Sequence, residues 1–143
     1  MRDQPPVYNN LPILVVDDYL AMVTTTRRML QTLGFVNVAA ANDGVSALAA
    51  LRSMPYQLVI SDLRMEGMDG LTLLIEVRAD PALRDIPFIM LTASGEIDYV
   101  AAAKRAGVTD YIIKPFSVAT LKAKLNAVLS RQIELKRIAR PRP

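Results

Sequence analysis

Leu11-Pro12-Ile13-Leu14-Val15-Val16 is a near-continuous apolar run that stops at Asp17-Asp18. An alternating pattern would put one face of a strand in water. A continuous run predicts a strand buried on both faces, as in a parallel sheet covered by helices. The run is far shorter than the roughly 20 residues that span a bilayer. It is also too short for a signal-peptide core, and it leads straight into two carboxylates.

The same grammar recurs downstream. Tyr19–Leu33 carries apolar residues at helical spacing (Met22, Met29, Leu30, Leu33), and Gly34 is a C-terminal stop. Phe35–Ala41 reads as a second strand. Asp43 caps a helix to about Ser53, which Pro55 prevents from continuing. Gln57–Ser61 is a third strand ending at Asp62, and Gly67 and Gly70 punctuate the loop before a helix over Leu71–Ala79. Pro87–Leu91 is a fourth strand ending at Thr92, and a helix over Glu96–Ala106 stops at Gly107. Asp110–Ile113 is a fifth strand ending at Lys114-Pro115, and a last helix runs from near Ser117 to about Ile138. Five strands alternating with helices predict an α/β, doubly wound five-stranded parallel sheet.

Composition narrows the chemistry. The 143 residues correspond to one domain, with 52% apolar and 22% charged residues, a globular balance. Cys and His are both absent, which excludes disulfides, thiol nucleophiles, Ser-His-Asp chemistry, an internal phosphohistidine relay and zinc sites of the usual kind. The net charge of +3 misleads. From Arg131 onward five basic residues stand against Glu134 alone, so residues 1–130 carry 12 basic against 13 acidic side chains. A nucleic-acid face on the body has no support. The organisation expected is a loose arm over residues 1–10, a domain over 11–130 and a basic extension of the last helix over 131–143. No residues remain for a DNA-binding domain, no membrane span is expected, and a soluble cytoplasmic protein is the default.

In a parallel sheet the carboxyl ends of the strands share one edge, where ligands collect beside the topological switch point. Asp17-Asp18, Asp62, Thr92 and Lys114 all stand at such ends. A strand-end Asp taken singly is more often a helix cap, but the set converges. Three carboxylates repel, and burial raises their pKa values. Lys114 brings their sum from −3 only to −2, whereas a divalent cation brings it to zero. Oxygen-only ligands favour Mg²⁺, which is bound through one or two carboxylates, waters and phosphate oxygens. A carboxylate can also attack phosphorus, and an ammonium group can neutralise the transferring oxygens. The residues alone thus point to a Mg²⁺-dependent, phosphoryl-accepting aspartate.

Val15-Val16-Asp17-Asp18, Val59-Ile60-Ser61-Asp62, Met68-Asp69-Gly70, Leu91-Thr92-Ala93 and Tyr111-Ile112-Ile113-Lys114-Pro115-Phe116 stand in the order and spacing of another set. Over about residues 11–129 the chain resembles a response-regulator receiver domain of the single-domain CheY type. The resemblance implies the flavodoxin-like strand order 2-1-3-4-5. It implies that Asp62 takes a phosphoryl group from a histidine kinase or phosphotransfer protein, in a two-component pathway. Asp18, Asp62 and the backbone carbonyl of Arg64 would ligate Mg²⁺, with Asp17 acting mainly through a water. Lys114 would contact the phosphoryl group. Thr92 and Tyr111 would couple phosphorylation to a surface of helix 4, strand 5 and helix 5, read by a downstream target protein. The Lys114-Pro115 bond would be cis. Such a protein signals and catalyses only its own phosphorylation and slow dephosphorylation.

Glu66 stands where many receivers have proline, and Arg64 and Ser94 flank the route of water to the acyl phosphate. Ile133, Leu135 and Ile138 continue the last helix among basic residues, as a frayed extension or as a helix for a partner or self-association. Two other readings compete with the signalling module. An aspartate-nucleophile phosphohydrolase commonly has a second Asp two residues after the nucleophile, and Arg64 occupies that position. An unphosphorylated adaptor would leave the clustered carboxylates without a purpose.

Overall fold

The computed structural model describes residues 10–139, so residues 1–9 of the predicted arm and the last four of the extension lie outside the described residues. The strands are β1 Ile13–Val16, β2 Val38–Ala41, β3 Leu58–Asp62, β4 Phe88–Ala93 and β5 Asp110–Lys114. The helices are α1 Leu20–Thr32, α2 Gly44–Ser53, α3 Gly70–Ala79, α4 Ile97–Ala106 and α5 Val118–Ala139. They alternate with the strands, and all four strand pairings are parallel. The sheet order is β2-β1-β3-β4-β5, as the resemblance implied.

β1 sends its side chains both ways. Leu14 and Val16 join Leu48, Leu51, Leu73, Leu74, Val77 and Ala103 beneath α2, α3 and α4. Ile13 and Val15 join Leu30, Leu121, Leu125 and Leu129 beneath α1 and α5. Each fully buried Leu, Ile or Val contributes about 1.5–3 kcal/mol. These two layers cover both faces of the central strands β1, β3 and β4, which is why those strands read as continuous apolar runs, while the edge strands β2 and β5 stay partly exposed.

Most strand and helix ends lie one or two residues from the sequence reading, and three of the differences have a clear cause. β2 begins at Val38, not Phe35, because residues 34 and 35 finish α1. Gly34 takes φ 98°, its N–H donates to the Gln31 carbonyl, and the Phe35 N–H donates to the Leu30 carbonyl. Phe35 then buries its ring in the same layer as Leu30. This is a Schellman stop, with its apolar contact between the residue after the glycine and the last turn. β1 begins at Ile13, because Pro12 has no N–H to give a ladder. β4 runs on through Ala93, so Thr92 and Ala93 pair with Ile113 and Lys114 inside the sheet. The Lys114-Pro115 bond is cis, as expected.

Arg78, unremarked in the sequence, ties α3 to the loops that lead into β4 and β5. Its guanidinium donates to the carbonyls of Gly107, Arg84 and Ile86, at 2.9, 2.9 and 2.7 Å. Among the described residues no helix is long and apolar enough to cross a membrane. α5 passes residue 130 without a break, with Ile133 and Leu135 about half exposed.

Candidate phosphoacceptor site

Register assembles the site. Val16 lies beside Ser61, so Asp17 and Asp62 leave the sheet side by side. Asp62 pairs with Leu91, and Thr92 follows it. Ala93 pairs with Lys114 at the end of the neighbouring strand. α3 starts hard against this edge. Its N-cap Asp69 accepts the Thr72 N–H at 2.8 Å, and Gly70 follows. A Cβ at Gly70 would stand 2.3 Å from the Asp62 carbonyl oxygen, so only glycine lets the helix approach this closely.

Asp17 and Asp62 are buried and Asp18 is exposed. One carboxylate oxygen of each lies within 4.8 Å of the others. The Lys114 ammonium donates to Asp62 Oδ1 at 2.5 Å. Backbone N–H groups fix the other two: Tyr19 donates to Asp17 Oδ1 at 3.0 Å, and Glu66 to Asp18 Oδ2 at 3.1 Å. Burial pushes the Asp62 carboxyl above the ordinary range, with Lys114 opposing and Asp18 and Glu96 reinforcing. Burial likewise raises Asp17, against the Tyr19 N–H and Lys114 and with the charges of Asp62 and Asp18. The site has an excess of negative charge, and its donors are all hard oxygens. That donor set suits Mg²⁺, whose charge would offset the repulsion that lifts both carboxyls.

The resemblance gave Thr92, through its side-chain hydroxyl, a coupling role. In this structure that hydroxyl is committed elsewhere. It donates to Glu96 Oε1 at 2.9 Å, and the Ala93 N–H donates to the same oxygen at 2.8 Å. Glu96 Oε2 accepts from Arg64 Nε in an ion pair. The Arg64 guanidinium also lies over the Tyr99 ring, 4.6 Å from its centroid. The sequence reading used Glu96 only to start a helix. A carboxylate three residues after a strand-end N–H is a weak signal for this back-bonding, and nothing local pointed to Arg64 as its partner. Tyr111 is partly buried between two helices, with the Lys104 and Lys124 ammonium groups each 5.5 Å from its ring centre. Lys124 also pairs with Asp110 at 3.0 Å.

A five-stranded parallel sheet in this order, with an acidic cluster and a lysine at its carboxyl edge, defines a class, and the family comparison agrees. The response regulator receiver domain matches residues 13–126, and the chain belongs to that family. It is a CheY-type two-component signalling protein, in a family of signalling proteins rather than typical enzymes. It is 41% identical over 122 residues to chemotaxis protein CheY-3 of Vibrio cholerae, covering 85% of this chain and 94% of that one. To chemotaxis protein CheY of Pseudomonas aeruginosa it is 40% identical over 121 residues, covering 85% and 98%. Among solved structures it resembles the receiver domain of a Pseudomonas aeruginosa sensor histidine kinase, which has a magnesium ion coordinated in its active-site cleft. The TM-score is 0.77, with 30% identity and coverage of 85% of this chain and 98% of that one.

Proposed function

We propose that Asp62 accepts a phosphoryl group from the phosphohistidine of a partner histidine kinase or phosphotransfer protein. The observation that carries this reading is the Lys114 ammonium on the Asp62 carboxylate, with oxygens of Asp17 and Asp18 grouped beside it. An Asp62 oxygen attacks phosphorus. The new P–O bond forms as the P–N bond of the donor breaks, and the histidine nitrogen leaves with the bonding pair. Lys114, already on Asp62, transfers its hydrogen bond to a phosphoryl oxygen and offsets charge there. Asp17, Asp18 and Asp62, with the backbone carbonyl of Arg64, would hold Mg²⁺, Asp17 mainly through a water. Held there, Mg²⁺ would neutralise the phosphoryl oxygens that this acidic cluster otherwise repels. Slow attack by water on the acyl phosphate returns Asp62 to its free state.

The output is a protein contact. Thr92 and Tyr111 carry the change to the surface of α4, β5 and α5, where a downstream target protein binds. This reading places the chain in the cytoplasm with its phosphodonor. The extension of α5, with Ile133 and Leu135 half exposed, is a contact for a partner or for a second copy. The phosphohydrolase reading loses further ground, because the Arg64 side chain that replaces the expected acid is paired with Glu96.

Labelling by a small phosphodonor such as acetyl phosphate tests the assignment. The protein should take up one phosphoryl group with Mg²⁺ present and none after chelation. Asp62→Asn should take up none, and full labelling of that variant would overturn the assignment.

A further inference from the structure

The edge of β4 holds two hydrogen-bond donors beside the acidic cluster, the Thr92 hydroxyl and the Ala93 N–H. Both point to one oxygen of Glu96, at 2.9 and 2.8 Å. Two converging donors on a single anionic oxygen are equally suited to an oxygen of a phosphoryl group on Asp62. Here a carboxylate of the same chain already has it. Only 10% of the Glu96 side chain is exposed, so water cannot readily take its place. Its second oxygen is held by Arg64, which lies in the loop after Asp62 and rests on the ring of Tyr99 in α4.

We propose that Glu96 is an internal competitor for the phosphoryl group, holding the Thr92 hydroxyl and the Ala93 N–H until phosphorylation at Asp62 displaces it. The inference deepens the proposed function and rests on it. Phosphorylation adds negative charge beside a carboxylate that holds the donors the new group needs. Glu96 must then release both, and its charge is repelled in the same direction. Arg64 travels with it as its ion-pair partner. Because Arg64 stacks on Tyr99, the departure of Glu96 changes a contact on α4 as well as one at the site. Glu96 is a positioning residue: it touches the donors, not the reacting phosphorus. Its presence sets how much of the phosphoryl group's binding is spent on opening the switch.

Beryllofluoride, which stands in for a phosphoryl group on aspartate, gives the test. Its affinity in saturating Mg²⁺ is measured by calorimetry for the full chain, for Glu96→Ala, and for Glu96→Met, which fills similar space without a carboxylate or amide acceptor if the smaller variant folds poorly. Removing the competitor should raise the affinity about tenfold, the scale of a hydrogen bond to a charged group. The same substitution in a Thr92→Ala background should gain markedly less, since one contested donor is gone. Mg²⁺ affinity should not rise, because a negative charge has been removed. An unchanged beryllofluoride affinity would overturn the inference. So would an equal gain with and without Thr92, which would reduce Glu96 to a bystander charge. Failure of the unmutated chain to bind beryllofluoride at all would overturn the proposed function, and this inference with it.

Discussion

At the scale of the residue, the structure separates a carboxylate that caps a helix from the buried carboxylates at the end of the sheet. Asp43 accepts the Ser46 N–H and is held below the usual carboxylate range by it. Asp17 and Asp62 are raised, by burial first. The sign of their effect on stability follows. A carboxyl with a folded pKa above its unfolded value stabilises the fold while protonated. That contribution is present below the unfolded value and lost as pH rises through the folded one. We expect Asp17→Asn, which keeps an acceptor for the Tyr19 N–H, to be more stable than the unmutated protein at neutral pH in metal-free buffer. The advantage should shrink to nothing as pH falls below the carboxylate range. Added Mg²⁺ should reverse the order, because ligand bound only to the fold stabilises it and Asn is the poorer ligand. Denaturant melts at several pH values, with and without Mg²⁺, check this. A variant less stable than its parent in metal-free buffer at neutral pH would contradict it.

Residues of this kind differed in how readable they were. Asp17, Asp18, Asp62, Thr92 and Lys114 could be read because a parallel sheet sends every strand end to one edge. Glu96 and Arg78 could not. The Arg64 partner of Glu96 lies 32 positions away, and the Gly107 carbonyl that Arg78 reaches lies 29 away. Only the folded chain brings them together.

At the scale of the element, the strands and helices were legible in number, order and kind, and the misreadings fell at ends. Phe35 looked like the start of a strand because it is aromatic and followed by Val36. Its N–H and ring belong to the end of α1, a use that local β-propensity does not reveal. The start of α3 matters most for function. Gly70→Ala would drive a Cβ into the Asp62 carbonyl and the Met90 sulfur. We expect a loss of about 1–3 kcal/mol, typical of forced overpacking, together with slower phosphorylation as the end of β3 moves. Melts and labelling rates measure the two effects. Parental stability and rate in that variant would show that the helix tolerates the methyl group. Arg78→Ala leaves three carbonyls without their donor and should cost about 1–3 kcal/mol. It lies away from Asp62, so its labelling should stay normal, and a stability unchanged within error would remove Arg78 from the account.

At the scale of the whole molecule, two helical layers bury the sheet and leave the carboxyl edge as its chemical face. Under the proposed function, charge arriving at Asp62 is read on a different surface. The path offered runs from Thr92 in β4, through Glu96 and the start of α4, to Tyr111 in β5 between Lys104 and Lys124. Such coupling is worth of order 1–3 kcal/mol, or about 5–150-fold in the affinity of a reader. Amide hydrogen exchange with and without beryllofluoride and Mg²⁺ tests it most directly. We predict altered exchange at residues 93–100 and 111–114 in the unmutated protein, and loss of that response in Thr92→Ala while beryllofluoride still binds. Beryllofluoride binding that changes only the loops after Asp18 and Asp62, with α4 and β5 undisturbed, would contradict the account.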